Sequence, residues 1–482
     1  MSPSRRPATT STVLGGSISL PPNPCRHSPA TRVSPWTGEP GTAGTVAVVG
    51  AGKMGLPLAG QFASHGWNVI AVDIDPRVVD SINDGRSHVG EEPGLAELVR
   101  EAHADGRLRA TLDGAEAARE ADVVVLIVPV MLDAQSRPDN AWMDAAVDAI
   151  APGVHAGSTV IFETTLPVGD TRGRYAPRLA AATGLRADGD GADRFFVAFS
   201  PERLYSGAAL VNLATYPKLV GGLDEASTAR AAAFYEGVLD AEVVAMGSAE
   251  AAEFAKLADT TYRDVNIALA NEFSRYADRI GVDITEVIAA ANSQPYSHIH
   301  QPGIGVGGHC IPVYPHFLLD RAPELSLVAR AREVNDHQVE VAIDAIRTVL
   351  GDLAGVTVLV LGLTYRHAVK ELAYSRAIPL IQRLNEERAV VLAYDPLLSP
   401  DEIARTGARP WDRGEVAPDV RAIVTQTADP AWTTLDIGSF PSLRVIYDGR
   451  NSLGTLIDTL PTEIAYRGVG VPDERRSPVA VD

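Results

Sequence analysis

Cysteine is nearly missing from this chain: two residues, Cys25 and Cys310, among 482. Two thiols cannot build a disulfide framework, which excludes a small cross-linked scaffold and makes a reducing cytoplasm the expected compartment. Positive charge is also scarce, with 42 Lys and Arg against 61 Asp and Glu, a net charge of −19. That balance argues against nucleic acid or an anionic membrane as partner, yet leaves room for a local basic pocket around a small anion. No apolar run approaches the roughly 20 residues needed to span a bilayer. Residues 1–44 are rich in Ser, Pro, Thr and Arg without a sustained apolar stretch. They read as a disordered extension that includes Cys25, not as a signal peptide. The remainder is ordinary globular sequence, 46% hydrophobic and 21% charged, long enough for two or three domains.

The first ordered stretch, Thr45-Val46-Ala47-Val48-Val49, is short, apolar and β-branched, the pattern of a buried strand. It runs into Gly50-Ala51-Gly52-Lys53-Met54-Gly55, then a helical pattern from Leu56 to His65, then a strand from Asn68 that ends in Asp73. A G-x-G-x-x-G between a strand and a helix, with an acid about 20 residues on, is a dinucleotide fingerprint. Gly50 makes the turn, Gly52 admits the pyrophosphate and Gly55 allows close helix–strand packing. The helix N-terminus, with Lys53 and Met54, faces the phosphates. Asp73 would accept a ribose hydroxyl and repel a 2′-phosphate, which favours NAD over NADP. Further strands, Asp122 to Val128 before Pro129 and Ser158 to Glu163 before Thr164-Thr165-Leu166-Pro167, continue a domain expected over 45–222. Ligands gather where such strands end.

Residues 223–332 change to long helices. Ala251 to Asp278 has helical spacing and no Pro or Gly, and predicts a spine between domains that doubles as a homodimer surface. Lys256, Arg263, Asn266 and Glu272 lie on it, where a solvated face is the default reading. Next comes Gly303-Ile304-Gly305-Val306-Gly307-Gly308-His309-Cys310. Such a loop either delivers a nucleophilic thiol to a bound ligand or is a tight turn around an inert buried cysteine. Residues 333–465 repeat strand and helix signals without a second fingerprint, and 466–482 read as a flexible tail. The expected fold is α/β: two Rossmann-like doubly wound domains joined by a long central helix.

In this order the pieces resemble the nucleotide-sugar 6-dehydrogenases, the family of UDP-glucose, UDP-N-acetylglucosamine and UDP-N-acetylmannosamine dehydrogenases. The resemblance runs from about 45 to 465. It rests on the fingerprint, Thr164-Thr165-Leu166-Pro167, Ser200-Pro201-Glu202-Arg203, Pro217-Lys218-Leu219-Val220-Gly221-Gly222, Lys256-Leu257, Tyr262 to Ala268, Gly307-Gly308-His309-Cys310-Ile311-Pro312 and Asp448-Gly449-Arg450. Ser-Pro-Glu-Arg and Gly-Gly-His-Cys are closer to the N-acetylhexosamine branch. The resemblance implies oxidation of a UDP-sugar C6 alcohol to a carboxylate with two NAD, through an aldehyde and a Cys310 thioester. It makes Lys256 the support for developing alkoxide charge, Glu202 a proton- or water-handling acid, and Thr165 a water-positioning group close to the cofactor. Thr260 stands where the family has an oxyanion-holding Asn. Substrate contacts fall on Glu202, Arg203, Lys218 and Lys256, with Arg263, Gly303, Gly307, Tyr314 and Arg450 further along; no metal site is implied. Tyr314 replaces the family's Asp, and Glu371-Leu372-Ala373-Tyr374-Ser375 replaces Asp-Leu-Arg-Glu-Ser. Two other outcomes stay open: altered redox chemistry on a related substrate, and a non-catalytic nucleotide-sugar binder.

Overall fold

A computed structural model describes residues 44–472 apart from 91, 206 and 455. The expected extension before residue 44, with Cys25, and the chain beyond 472 lie outside the described residues. Among the described residues, two open sheets carry the fold. The first contains β1 (Thr45–Val49), β2 (Asn68–Val72), β3 (Leu108–Thr111), β4 (Val123–Leu126), β5 (Thr159–Phe162), β6 (Phe196–Phe199), β7 (Lys218–Gly222) and β8 (Val243–Ala245). Their spatial order is β3-β2-β1-β4-β5-β6-β7-β8, parallel except at the β6–β7 pair. The second contains β9 (Thr357–Leu361), β10 (Val390–Tyr394), β11 (Arg409–Pro410), β12 (Val420–Thr425), β13 (Val445–Asp448) and β14 (Ala465–Gly468). It is parallel throughout, in the order β11-β10-β9-β12-β13-β14. In each sheet the strand order reverses, at β1/β4 and at β9/β12, and a crevice opens outside the strand ends at that point.

The central strands show why this layering forms. Val46 and Val48 of β1 pack into one core while Ala47 and Val49 pack into another. In β9, Val358 and Val360 face one core, Leu359 and Leu361 the other. A strand buried on both faces needs apolar side chains at every position and helices on both sides. In the first domain Phe234 meets Phe62, Trp67 and Tyr235 edge to face, with centroids 5.1, 5.0 and 5.0 Å apart. Each such pair adds about 1 kcal/mol beyond its buried area.

Two expected boundaries move. The first sheet does not stop at 222, because the helix Glu225–Val238 returns the chain to the edge strand β8. Val243-Val244-Ala245 is too short and too open to leave a periodic signal. At the other end β14 runs to Gly468, so the tail expected from 466 begins inside a strand.

Between the sheets runs the helix Ala249–Ile280, 32 residues and about 48 Å long at 1.5 Å per residue. Ser248 caps its start by accepting from the Ala251 N–H, and Gly281 at φ 68° ends it. Its faces are inverted relative to an ordinary surface helix. Glu253, Lys256, Thr260, Asp264, Asn271 and Ser274 recur at helical spacing and are buried, whereas Tyr262, Leu269, Phe273, Tyr276 and Ile280 recur on the opposite side and are exposed. The inward polar stripe ties segments together. Asp264 accepts from Arg332 at 2.6 Å and Asn335 at 2.8 Å, and Asn271 accepts from the Gly303 N–H at 2.9 Å. The solvated-face reading holds for Glu272 and fails for Lys256.

Candidate active site

The first crevice is built by glycine geometry. Gly50, at φ 97°, turns the chain out of β1, and a Cβ on Gly55 would sit 1.8 Å from the Gly50 carbonyl. Gly52 faces open space. The helix Gly55–Ser64 starts at Met54 with no side chain capping its first amides, beside the half-exposed Lys53. The helix dipole there, with no side-chain cap opposing it, favours an anion. Asp73, at the end of β2, accepts from the Ala51 and Asp75 N–H groups at 3.0 Å each. A carboxylate has about four acceptor sites, so it keeps capacity for a ribose hydroxyl. Pro129 lies exposed on the rim after β4. These residues fit a dinucleotide.

The reactive side chains converge from three segments. Thr165 is buried in the loop after β5, whose partner Thr164 donates to the Val128 carbonyl at 2.8 Å. The inward stripe brings in Lys256, 4% exposed, with Nζ 2.5 Å from the Glu202 carbonyl oxygen and 5.9 Å from the Tyr314 ring centroid. The glycine loop brings in Cys310, whose carbonyl accepts from the Tyr314 N–H at 2.9 Å and so opens the helix Tyr314–Arg321. The Tyr314 hydroxyl faces both Thr165 and Cys310. Burial pushes the Cys310 thiol above its usual range, helped by the Glu202 charge and opposed by the Lys256 charge and the nearby Tyr314 hydroxyl, which favour the thiolate. Burial likewise holds the Tyr314 phenol well above its ordinary value, so it is a neutral donor at physiological pH.

Several expected residues sit elsewhere. Thr260 is fully buried, and its hydroxyl reaches back to the Lys256 and Leu257 carbonyls of its own helix, both at 3.1 Å. Its one hydrogen is committed there, so Thr260 does not donate to an oxyanion, and the expected catalytic role is withdrawn. Lys218 is held in a buried ion pair with Glu163 at 2.9 Å, under the Tyr235 ring. Its ammonium is a core anchor, which displaces the substrate-contact expectation. Arg203 donates to the Pro217 carbonyl at 3.3 Å and Arg263 to the Tyr205 hydroxyl at 3.0 Å. The Glu202 carboxylate turns onto the Leu204 N–H, so this residue meets Lys256 through its main chain.

The glycines at 303–308 let the second domain approach closely. A Cβ on Gly303 would meet Arg450, on Gly305 the Asn335 carbonyl and Arg376, and on Gly307 the Tyr365 side chain and Tyr374 carbonyl. Arg450 itself donates from Nε to the Gln426 carbonyl at 2.9 Å. Asp448 organises that turn, accepting from the Ser452 and Leu453 N–H groups at 2.7 and 2.8 Å. Glu253 escaped the sequence reading altogether: it accepts from Gly169 N, Thr171 N and the Thr171 hydroxyl at 2.6, 3.0 and 2.6 Å, and so anchors the loop that carries Thr165. The signal for it was the spacing Glu253, Lys256, Thr260, Asp264 along one helical face.

Comparison with known proteins covers nearly all of the described chain. Three domain models of the UDP-glucose/GDP-mannose dehydrogenase family match in order: the NAD binding domain over 44–239, the central domain over 250–337 and the UDP binding domain over 359–455. A UDP-N-acetyl-D-mannosamine dehydrogenase of Pyrococcus horikoshii is 33% identical over 438 residues, 89% of this chain and 99% of the relative. An NDP-N-acetyl-D-galactosaminuronic acid dehydrogenase of Ralstonia nicotianae is 37% identical over 357 residues, 73% and 83% of the two chains. The structure of a UDP-glucose dehydrogenase from Pyrobaculum islandicum superposes with a TM-score of 0.80 at 27% identity, covering 90% of this chain and all of the other.

Proposed function

The chain belongs to the UDP-glucose/GDP-mannose dehydrogenase family, and from that premise we propose that Cys310, Lys256, Glu202, Thr165 and Tyr314 carry out a four-electron oxidation of a UDP-N-acetylhexosamine at C6. The enzyme is an NAD-dependent nucleotide-sugar 6-dehydrogenase that yields a uronic acid. NAD, bound at the fingerprint, supplies the hydride acceptor for both oxidations. Lys256 stabilises negative charge developing on the C6 oxygen as the alcohol becomes an aldehyde, a contribution that is large in a water-poor site. The Cys310 sulfur adds to the aldehyde carbon to give a thiohemiacetal. Loss of a second hydride and a proton leaves a thioester, and water cleaves it to the carboxylate and the free thiol. Tyr314 donates to the sulfur and Thr165 positions the water. Gly303 and Arg450 line the approach of the nucleotide from the second domain.

The observation that carries this reading is the burial of the Lys256 ammonium beside Tyr314 and the Glu202 carbonyl, next to the thiol whose ionisation it favours. The substrate is tested with UDP-N-acetylhexosamines, UDP-glucose and GDP-mannose, reading NADH and product mass. A carboxylate product with the highest kcat/KM on an N-acetylhexosamine supports it, and a preference for GDP-mannose sinks it. Tyr314 favours one second reading. A neutral phenol is a poor base at neutral pH, so an enzyme lacking a carboxylate there stops at the aldehyde after two electrons.

The same proposal extends to assembly. Tyr262, Leu269, Phe273, Tyr276 and Ile280 form an exposed apolar stripe along the long helix, which supports a homodimer formed across it. No helix of the described residues is long and apolar enough to cross a membrane, and a cytoplasmic location agrees with the chemistry proposed.

A further inference from the structure

The segment that leaves β9 crosses to the first domain in a preformed bracket. Asp395 accepts from the Leu363 and Thr364 N–H groups at 2.7 and 3.0 Å, and Tyr365 N–H donates to the Glu371 carbonyl at 3.0 Å. Ala368 and Tyr374 take φ of 60° and 53°, left-handed conformations that non-glycine residues seldom adopt. What the bracket delivers is one carboxylate. Glu371 Oε2 lies 3.3 Å from His309 Nε2 and 3.8 Å from Lys53 Nζ, while Oε1 accepts from the Ala373 N–H at 3.0 Å. Lys53 stands in the fingerprint loop at the uncapped helix, and His309 directly precedes Cys310. A single acid of the second domain therefore touches the neighbour of the diphosphate site and the neighbour of the thiol. The His309 contact outweighs burial and, with the Ala373 N–H and Lys53, holds the Glu371 carboxyl down to about 2, so it is anionic throughout the physiological range.

We propose that Glu371 is a positioning residue that couples the two half-sites, sharing Lys53 with the dinucleotide diphosphate and keeping His309, with the Cys310 loop, as its partner once Lys53 is drawn away. The proposal rests on the dinucleotide assignment above. Its sign follows from charge: a diphosphate attracts Lys53 and repels Glu371, so Glu371 opposes dinucleotide binding.

ADP-ribose is the probe, since it carries the diphosphate but no nicotinamide ring to shield the thiol. Its affinity is read by calorimetry, and iodoacetamide alkylation at Cys310 by peptide mass spectrometry. ADP-ribose should change the wild-type alkylation rate about two- to fivefold, the span of a half-exposed ion pair. In Glu371→Gln that response disappears and ADP-ribose binds more tightly by about the same factor. Lys370→Met, which removes an amine paired with Glu402 at 2.9 Å, should match the wild type in both readings. Weaker ADP-ribose binding in a folded Glu371→Gln, or an alkylation response that survives it, overturns the proposal. If Glu371→Gln melts early, Lys53→Met at saturating ADP-ribose replaces it, and a surviving response overturns the proposal there too. A wild type that binds no ADP-ribose removes the dinucleotide assignment itself. Binding without any change at Cys310 removes only the coupling.

Discussion

The two sheets share a strand order, and each has an aspartate at the same station, the end of its second strand, but they treat it differently. Asp73 is half-buried and gives its oxygens to two backbone amides. Asp395, 2% exposed, is saturated from within: Leu363 N, Thr364 N and the Thr364 hydroxyl bond one oxygen, and Leu397 N bonds the other at 2.9 Å. The crevices follow suit. The first is open at Gly52, whereas the chain's own glycine loop enters the second, where the Ile304 N–H donates to the Gly449 carbonyl at 2.9 Å and the Ile304 side chain joins the core. One topology thus yields an open crevice whose aspartate keeps capacity for a cofactor and a second crevice whose aspartate is spent on the fold and which the glycine loop partly fills. The site chemistry, not the fold, separates the two.

Five substitutions probe that contrast. The largest effect should come from Lys256→Met, on the bridge between the sheets. It should lower kcat about 10²–10³-fold while the affinity for NAD and for UDP stays put, since neither crevice is touched. Next is a pH effect on the same bridge. Burial raises the Glu253 carboxyl from 4.5 to about 7, against the bonds from Thr171 and Gly169. The native state therefore holds a proton that the unfolded chain has released. The stability this contributes is full below about pH 4.5 and is lost as pH rises to about 7, a fall of roughly 3 kcal/mol that denaturant melts should show and Glu253→Gln should flatten. Third, a Cβ on Gly449 would lie 2.5 Å from the Thr425 carbonyl and 2.9 Å from the Ile304 Cβ. Gly449→Ala should shift the docked loop and with it Cys310, lowering kcat about 10²-fold without changing NAD affinity. The smallest pair is the most direct comparison. Asp395→Asn should cost about 2 kcal/mol of stability and leave NAD binding alone, while Asp73→Asn should weaken NAD about tenfold, narrow its preference over NADP and leave stability alone.

The first crevice was legible because its constraints are on backbone. Gly50 must turn and Gly55 must admit the Gly50 carbonyl, so residue type and spacing alone reveal them. The long helix was legible as a helix, but periodicity weighs both of its faces equally, and nothing local says that the polar one turns inward. Lys256 reads as solvated until the packing buries it. Thr260 and Lys218 were misplaced for related reasons. The Thr260 hydroxyl had a carbonyl of its own helix in reach, and the partner of Lys218 is Glu163, beyond the end of β5 and 55 positions away. The glycines around Cys310 also admit the second domain to close contact, which a reading of one segment at a time does not show.

In the proposed reaction Cys310, carried on the docked loop and faced by Lys256 and Tyr314, completes both oxidations. Counting NADH released per UDP-N-acetylhexosamine consumed, with wild type and with Cys310→Ser, tests it most directly. Two NADH per sugar with a uronic acid product are expected, together with a serine variant that does not complete the reaction. One NADH per sugar in the wild type, with the aldehyde as product, would contradict it.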